Sequence, residues 1–404
     1  MWNFPPTPKA TASATRAVPP VETERRVAAL APLVPVTRVV DLTPLDPLGL
    51  PVWSVVTPLA RDLTTHLGKG ADPASARVSA LMEAIERTSA ESVAGARLVR
   101  GNIADLRAGG GPEPIDPAGF DLPDDTVWRP DAVVDWIEGH DLVSGAPVRV
   151  PLDLATNPPR EGVLRDVDTN GLASGNVLLE AVVHALCEVV ERDILSQIEF
   201  RTVHGDGPPP ADAVDPATLP EDAGRWAARI AAAGHDLVVQ DLTGDLGVPT
   251  FRAHLVDHDF PTRAGPLAAS FPGYGTHPDA SVAVLRSITE AVQSRLAVIQ
   301  GARDSYNEVG RDEPWPVRAL RLRPLEPGRR RSFAELPTYP TRDLREELHF
   351  LLDRLRAAGL RSAIAVDLTR ADLGVPVVRV RVPGLSSFVV NRRRVGWRCL
   401  RHLL

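Results

Sequence analysis

Three separate stretches of the chain alternate apolar and polar positions with a helical period, and their polar faces match. They are "SALMEAIER" (79–87), "HALCEVVER" (184–192) and "RSITEAVQSR" (286–295), roughly a hundred residues apart. At about 100° per residue, Ser79, Glu83, Glu86 and Arg87 share one face of the first helix. Val78, Leu81 and Ile85 lie opposite, with Met82 beside them. The second helix superposes in register: His184, Glu188, Glu191 and Arg192 take those places, and Glu180 joins them one turn earlier. Its apolar side is Val183, Leu186 and Val190. In the third, Arg286, Glu290 and Gln293 share a face and Arg295 lies further round, opposite Leu285, Ile288 and Val292.

The first helix opens at Asp72-Pro73, an N-cap followed by a first-turn proline. The second follows the polar, Gly-rich loop "TNGLASGN" (169–176) and spans about 177–200. The third begins near Pro278, and a further helix covers about 341–358. Strand pairs are expected in 132–151, joined by a Ser-Gly turn, and in 235–257. The segment 362–385 repeats 235–257: both read D-L-T, then D-L-G-V-P, then a strand. Strand pairs alternating with long helices predict a mixed α/β, layered single domain over 28–404. Residues 1–27 read as a flexible, Pro-rich arm and 309–345 as a surface insertion rich in Arg and Pro.

Composition narrows the function. The net charge of −7 gives no support to nucleic-acid binding. No apolar run reaches membrane-spanning length and the N-terminus lacks a secretory apolar core, so a cytoplasmic location is expected. Cys187 and Cys399 are the only cysteines, so no disulfide framework or CxxC metal knuckle is available, and Cys187 falls beside the apolar face of its helix. Lys9 and Lys69 are the only lysines among 45 basic residues. Lys69 stands in "LGKGADP", just ahead of the first motif helix.

If the three charged faces converge, the carboxylates repel. Two like charges ~4 Å apart cost about 4 kcal/mol at an effective dielectric of 20. A convergent cluster of Glu83, Glu86, Glu188, Glu191 and Glu290 therefore calls for a hard divalent cation, Mg2+ or Ca2+. The interspersed Lys69, Arg87, Arg192, Arg286 and Arg295 suit an anionic ligand that arrives with its metal, such as a nucleoside triphosphate. No P-loop, kinase set, H-E-x-x-H or G-x-S-x-G motif is present, which leaves the backbone of the "NGLASGN" loop as a candidate phosphate cradle.

At these residues the chain resembles the YcaO superfamily of ATP-dependent peptide-modifying enzymes. The resemblance is carried by "GKGADPASARVSALMEAIER" (68–87), "GLASGNVLLEAVVHALCEVVERD" (171–193) and "GYGTHPDASVAVLRSITEAVQSR" (273–295), and covers roughly 40–390. It implies a fold without a P-loop. Glu83, Glu86, Glu188, Glu191 and Glu290 would hold Mg2+; Lys69, Ser79, Arg87, Asn176, Glu180, Arg192, Arg286, Gln293 and Arg295 would hold ATP. The implied chemistry is amide activation: a nucleophile adds to a peptide carbonyl and ATP phosphorylates its oxygen. The "DLGVPVVRVRVPGL" end is similar to the branch that works beside a TfuA-type partner protein and makes thioamides from a sulfide donor. Azoline formation by Cys, Ser or Thr side chains is the alternative, although such members often end in a Pro-rich tail and this chain ends "VGWRCLRHLL". A non-catalytic nucleotide-binding scaffold is the third reading. The substrate is expected to be a precursor peptide delivered by a separate partner. The sequence leaves the assembly state open, a homodimer included.

Overall fold

Among the described residues three sheets, built largely from antiparallel strands, pack with the three motif helices. The computed structural model describes residues 2, 4–10, 15–91, 93, 95–165, 168–208, 210–257, 270–301 and 328–404. The first sheet is an antiparallel meander of Arg38–Asp41, Val52–Val56 and Thr65–Lys69. Seven strands form the second, in the order Glu113–Pro114, Pro147–Pro151, Val134–Asp141, Ile364–Asp367, Val377–Arg381 and Leu172–Ser174, with Leu98–Gly101 also paired to Val134–Asp141. The third sheet orders its five strands Ser270–Thr276, Thr250–Val256, Asp236–Asp241, Ala213–Val214 and Arg330–Arg331.

The repeat seen in the sequence has a physical basis. After Asp236–Asp241, the Asp241 carboxylate accepts from Thr243 N–H at 2.9 Å and Thr243 Oγ1 accepts from Thr250 N–H at 3.2 Å. After Ile364–Asp367, Asp367 accepts from Thr369 N–H at 2.8 Å and Thr369 Oγ1 from Val377 N–H at 3.2 Å. D-L-T thus closes a turn by satisfying the backbone groups that leave the hairpin. The structure adds a third copy. Asp41 accepts from Thr43 N–H at 2.9 Å, and Thr43 Oγ1 from Val52 N–H at 3.3 Å.

Each motif helix packs its apolar side on sheet. Pro73–Ala90 starts at Asp72, whose carboxylate accepts from Ser75 N–H, and it buries Leu81, Met82 and Ile85 with Val55 and the second sheet's Ile137, Val150 and Val377. Leu178–His204 buries Val183, Leu186 and Val190 against Val378 and Val380 and against helix Leu344–Ala357. Ala280–Gln300, capped by Asp279, lies between the third and first sheets: Val284, Ile288 and Val292 pack with Phe251, Leu255, Val52 and Leu67. This is the mixed α/β single domain expected. Among the described residues no helix is long and apolar enough to cross a membrane.

One segmental expectation is corrected, and another lies largely outside the described residues. The described part of 1–27 is tied to the domain: Pro8 bridges Asp343, Lys9 donates to Thr341 O at 3.0 Å and pairs with Glu347, and a helix runs Pro20–Leu30. Proline and small polar residues read as an arm, but its partners lie hundreds of residues away in sequence. Of the expected insertion 309–345, residues up to 327 lie outside the described residues; the remainder includes strand Arg330–Arg331 and the first residues of helix Leu344–Ala357.

Candidate functional site

Glycines set the distance between strand and helix. A Cβ on Gly68 would stand 2.1 Å from Ala80 N, and one on Gly273 would stand 2.1 Å from Ala291 N. Only hydrogen fits there. The close approach lets a helix carboxylate reach strand backbone: Leu67 N–H donates to Glu83 Oε2 at 3.0 Å, and Tyr274 N–H donates to Glu290 Oε1 at 3.4 Å. Glu83 and Glu290 therefore occupy equivalent places in two strand–helix units.

The three helices meet around these groups. Gln293 Nε2 donates to Leu67 O at 2.8 Å, which joins the third helix to the strand that holds Glu83. Lys69, at the end of that strand, donates to Glu290. Arg87 donates to Glu83 at 3.1 Å and to Asp62 at 2.7 Å. Ser174, just before the second helix, donates to Glu86 at 3.1 Å. Arg192 sits 3.9 Å from both Glu188 and Glu191. Arg286 lies 3.2 Å from His184 Nδ1. Ser79 is half-buried one turn before Glu83.

The cleft is electrically uneven. Burial, then the Glu188 and Glu83 carboxylates, push Glu86 up to about 8. Burial pushes Glu188 up to about 7, with Arg192 working against the rise and Glu191 with it. Glu191 is also raised, by burial and by Glu290 against the pull of Arg192. Glu290 goes the other way: burial works upward, but Lys69 and Arg192 hold it below the ordinary carboxylate range. Burial, then Arg286, Arg16 and Lys69, hold His184 well below the ordinary imidazole range. Raised carboxylates and cations thus stand together at the meeting of the helices.

Among the described residues no three of His, Cys, Asp or Glu converge as a preformed metal cage. The donor set still fits Mg2+. This ion keeps several waters and takes one or two carboxylates together with a ligand's phosphates. Carboxylates set among Lys69, Arg192 and Arg286 match that mode.

Not every expected residue joins the cleft. Arg295 points away: Nε donates to Asp46 at 2.9 Å and Nη1 to Asp257 at 2.7 Å, both buried, and the guanidinium stacks over Phe271. Glu180 is buried and accepts from Asn176 N–H and Nδ2 at 3.1 Å, from Arg16 at 3.0 Å and from Ala17 N–H at 2.9 Å. Asn176 Oδ1 accepts from Thr23 at 2.8 Å. The loop before the second helix is thus fastened to the N-terminal segment, and Arg16, which the motif pattern did not reveal, pairs with Glu180 and acts on His184. Cys187 is buried among core residues and its thiol is pushed up by burial, as expected of packing rather than chemistry.

Glutamates and basic residues from three pseudo-equivalent helices come together in a mixed α/β fold. The chain belongs to the YcaO family: the family model, described as a YcaO cyclodehydratase that binds ATP and Mg2+, matches residues 67–386. An uncharacterized protein of Methanothermobacter thermautotrophicus is 36% identical over 95% of this chain and 98% of its own length. An uncharacterized protein in the tfuA 3′ region of Rhizobium leguminosarum bv. trifolii is 34% identical over 87% and 84%. The structure of YcaO from Methanopyrus kandleri bound with AMPPCP and Mg2+ superposes with a TM-score of 0.76 at 28% identity, over 97% of this chain and 98% of that one. The family is one of ATP-dependent enzymes.

Proposed function

We propose that the chain uses Mg·ATP to activate a backbone amide of a precursor peptide, and that the product is a thioamide. The observation that carries the reading is the convergence of carboxylates and cations at the three motif helices: Lys69 on Glu290, Arg192 beside Glu188 and Glu191, Arg87 on Glu83, and Gln293 on the Leu67 carbonyl. Glu83, Glu86, Glu188, Glu191 and Glu290 are the residues that would hold Mg2+, which when bound shields phosphate charge. Lys69, Arg87, Arg192, Arg286 and Gln293 orient the triphosphate, with Ser79 at the rim. Asn176 and Glu180 act by fixing the loop that leads into the second helix. Arg295, being committed to Asp46 and Asp257, is left out of this set.

The reaction balances simply. Hydrosulfide adds to the amide carbon. The carbonyl oxygen takes the γ-phosphoryl group, and ADP leaves with the electrons of the broken P–O bond. The C–O bond then breaks, phosphate departs with the amide oxygen and the proton brought by hydrosulfide, and C=S remains. Positioning and charge stabilisation account for the catalysis. Thioamidation beside a TfuA-like partner is favoured by the relative from a tfuA region. Azoline formation is the second reading, favoured by the family model's description as a cyclodehydratase.

Calorimetric titration of AMPPCP with and without Mg2+, on wild type and Glu191→Gln, tests the nucleotide site. Mg2+-dependent binding that disappears in a folded Glu191→Gln supports the reading; retained ATPase activity in that variant sinks the metal-ligand assignment. Mass spectrometry of the modified peptide separates the products, because sulfur for oxygen raises the mass and ring closure with loss of water lowers it.

A further inference from the structure

The third sheet presents a polar row that the glutamate cleft does not use. Phe251, Ala253 and Leu255 pack toward helix Ala280–Gln300, so the alternate residues Arg252 and His254 face the other way. Strand register sets Gln240 opposite Arg252 and Arg252 opposite Tyr274. Arg252 donates to Gln240 Oε1 from Nε at 3.1 Å and from Nη2 at 2.7 Å. His254 Nδ1 lies 3.0 Å from Ser270 Oγ.

Among the described residues two atoms of this row are buried with no hydrogen-bond partner: Nε2 of Gln240, a residue 0% exposed, and Nε2 of His254, 7% exposed. Leaving such a group unmet costs about 1–3 kcal/mol, so native proteins rarely do it without reason. Two on one face leave hydrogen-bonding capacity unmet on the same side of the sheet. The row also ends at the cleft. Tyr274 gives its backbone N–H to Glu290, and its phenol lies in the fields of Arg252, Glu290, Arg192 and Glu191. Burial, then Arg252, hold His254 at about 3, so its imidazole is neutral. Amide, guanidinium, phenol and neutral imidazole are rich in donors and include no carboxylate. They suit a neutral, carbonyl-bearing chain.

We propose that Gln240, Arg252, Tyr274 and His254 form the acceptor subsite, which receives a peptide backbone amide beside the glutamate cleft. Arg252 and Tyr274 are the donors to the amide oxygen as it bonds to the γ-phosphorus and the bond to ADP breaks. This assignment rests on the amide-activation reading. It extends that reading from the nucleotide to the residues that receive the substrate amide.

Two nucleotide probes test the subsite without the natural peptide. Mg·AMPPCP reports the ground-state nucleotide site; Mg·ADP with aluminium fluoride mimics the phosphoryl group in flight with water as acceptor. Tyr274→Phe and Arg252→Lys, each checked for an unchanged melting profile, should bind AMPPCP within about twofold of wild type. They should bind the aluminium fluoride complex at least about tenfold more weakly. Equal weakening of both probes would assign the row to the nucleotide site, and unchanged binding of both would assign it to packing; either overturns the proposal. Failure of wild type to bind AMPPCP would overturn the amide-activation reading itself.

Discussion

Lys69 donates its ammonium to Glu290, a residue 221 positions later in the chain. One lysine at the end of a strand thereby decides the ionisation of a glutamate on the third motif helix, since Lys69 leads the charges that hold Glu290 deprotonated against burial. In the proposed site this ammonium meets phosphate when nucleotide enters. Lys69→Met should weaken Mg·AMPPCP binding about tenfold, equivalent to about 1.4 kcal/mol. Calorimetry measures it directly, and an unchanged affinity would return Lys69 to a purely structural role.

The buried glutamates predict a pH dependence whose sign is fixed. Burial pushes Glu86 up to about 8 and Glu188 up to about 7, against 4.5 for a free glutamate. Between those values the folded state holds protons that the unfolded chain has released. Ligand-free stability is therefore greatest below pH 4.5 as far as these groups act, and is lost as pH rises through 7 and 8, by at most about 1.4 kcal/mol per unit for each proton. Mg·AMPPCP needs the carboxylates deprotonated, so its binding should release protons and tighten from pH 6 to 8.5. Titrations in buffers of different ionisation enthalpy count the protons. No proton release at pH 7 would contradict the assignment of these carboxylates to the metal.

The helices and their charged faces were legible because the 3.6-residue period survives any tertiary context. Two of the three D-L-T turns were legible for the same local reason; the third, at 41–43, was hidden by a longer turn, "DLTPLDPLGLPV". What the chain did not reveal was non-local. A helical wheel cannot say what packs on each side, and helix Ala280–Gln300 is covered on two sides by sheets. Arg295 lies about 140° round from Glu290, which carries it out of the cleft to Asp46 and Asp257. Likewise nothing near Lys9 or Arg16 in sequence signals Glu347 or Glu180.

That correction is itself testable. Arg295 is buried between two carboxylates, and removing one partner of a buried pair leaves charge uncompensated, at about 3–5 kcal/mol. Arg295→Met should lower stability by roughly 3 kcal/mol in urea unfolding. The protein that remains folded should bind Mg·AMPPCP as wild type does. A stable Arg295→Met that has lost nucleotide binding would restore the residue to the site.

Gly273 offers the sharpest separation between packing and chemistry, because it touches no proposed ligand. Its missing side chain is what allows strand Ser270–Thr276 to lie on helix Ala280–Gln300, with a Cβ placed 2.1 Å from Ala291 N and 2.2 Å from Ser287 O. Both obstacles are backbone and cannot rotate aside. Gly273→Ala must therefore push strand and helix apart, lengthening the bond from Tyr274 N–H to Glu290 that already stands at 3.4 Å. The expected outcome is a loss of stability of about 1–3 kcal/mol with a larger, at least tenfold, loss of Mg·AMPPCP affinity. Gly234→Ala, at a turn where a Cβ has open space but φ is +82°, is the control: it should destabilise through backbone strain and leave affinity unchanged. If both variants lose stability alike and both keep affinity, the spacing between strand and helix does not govern the site.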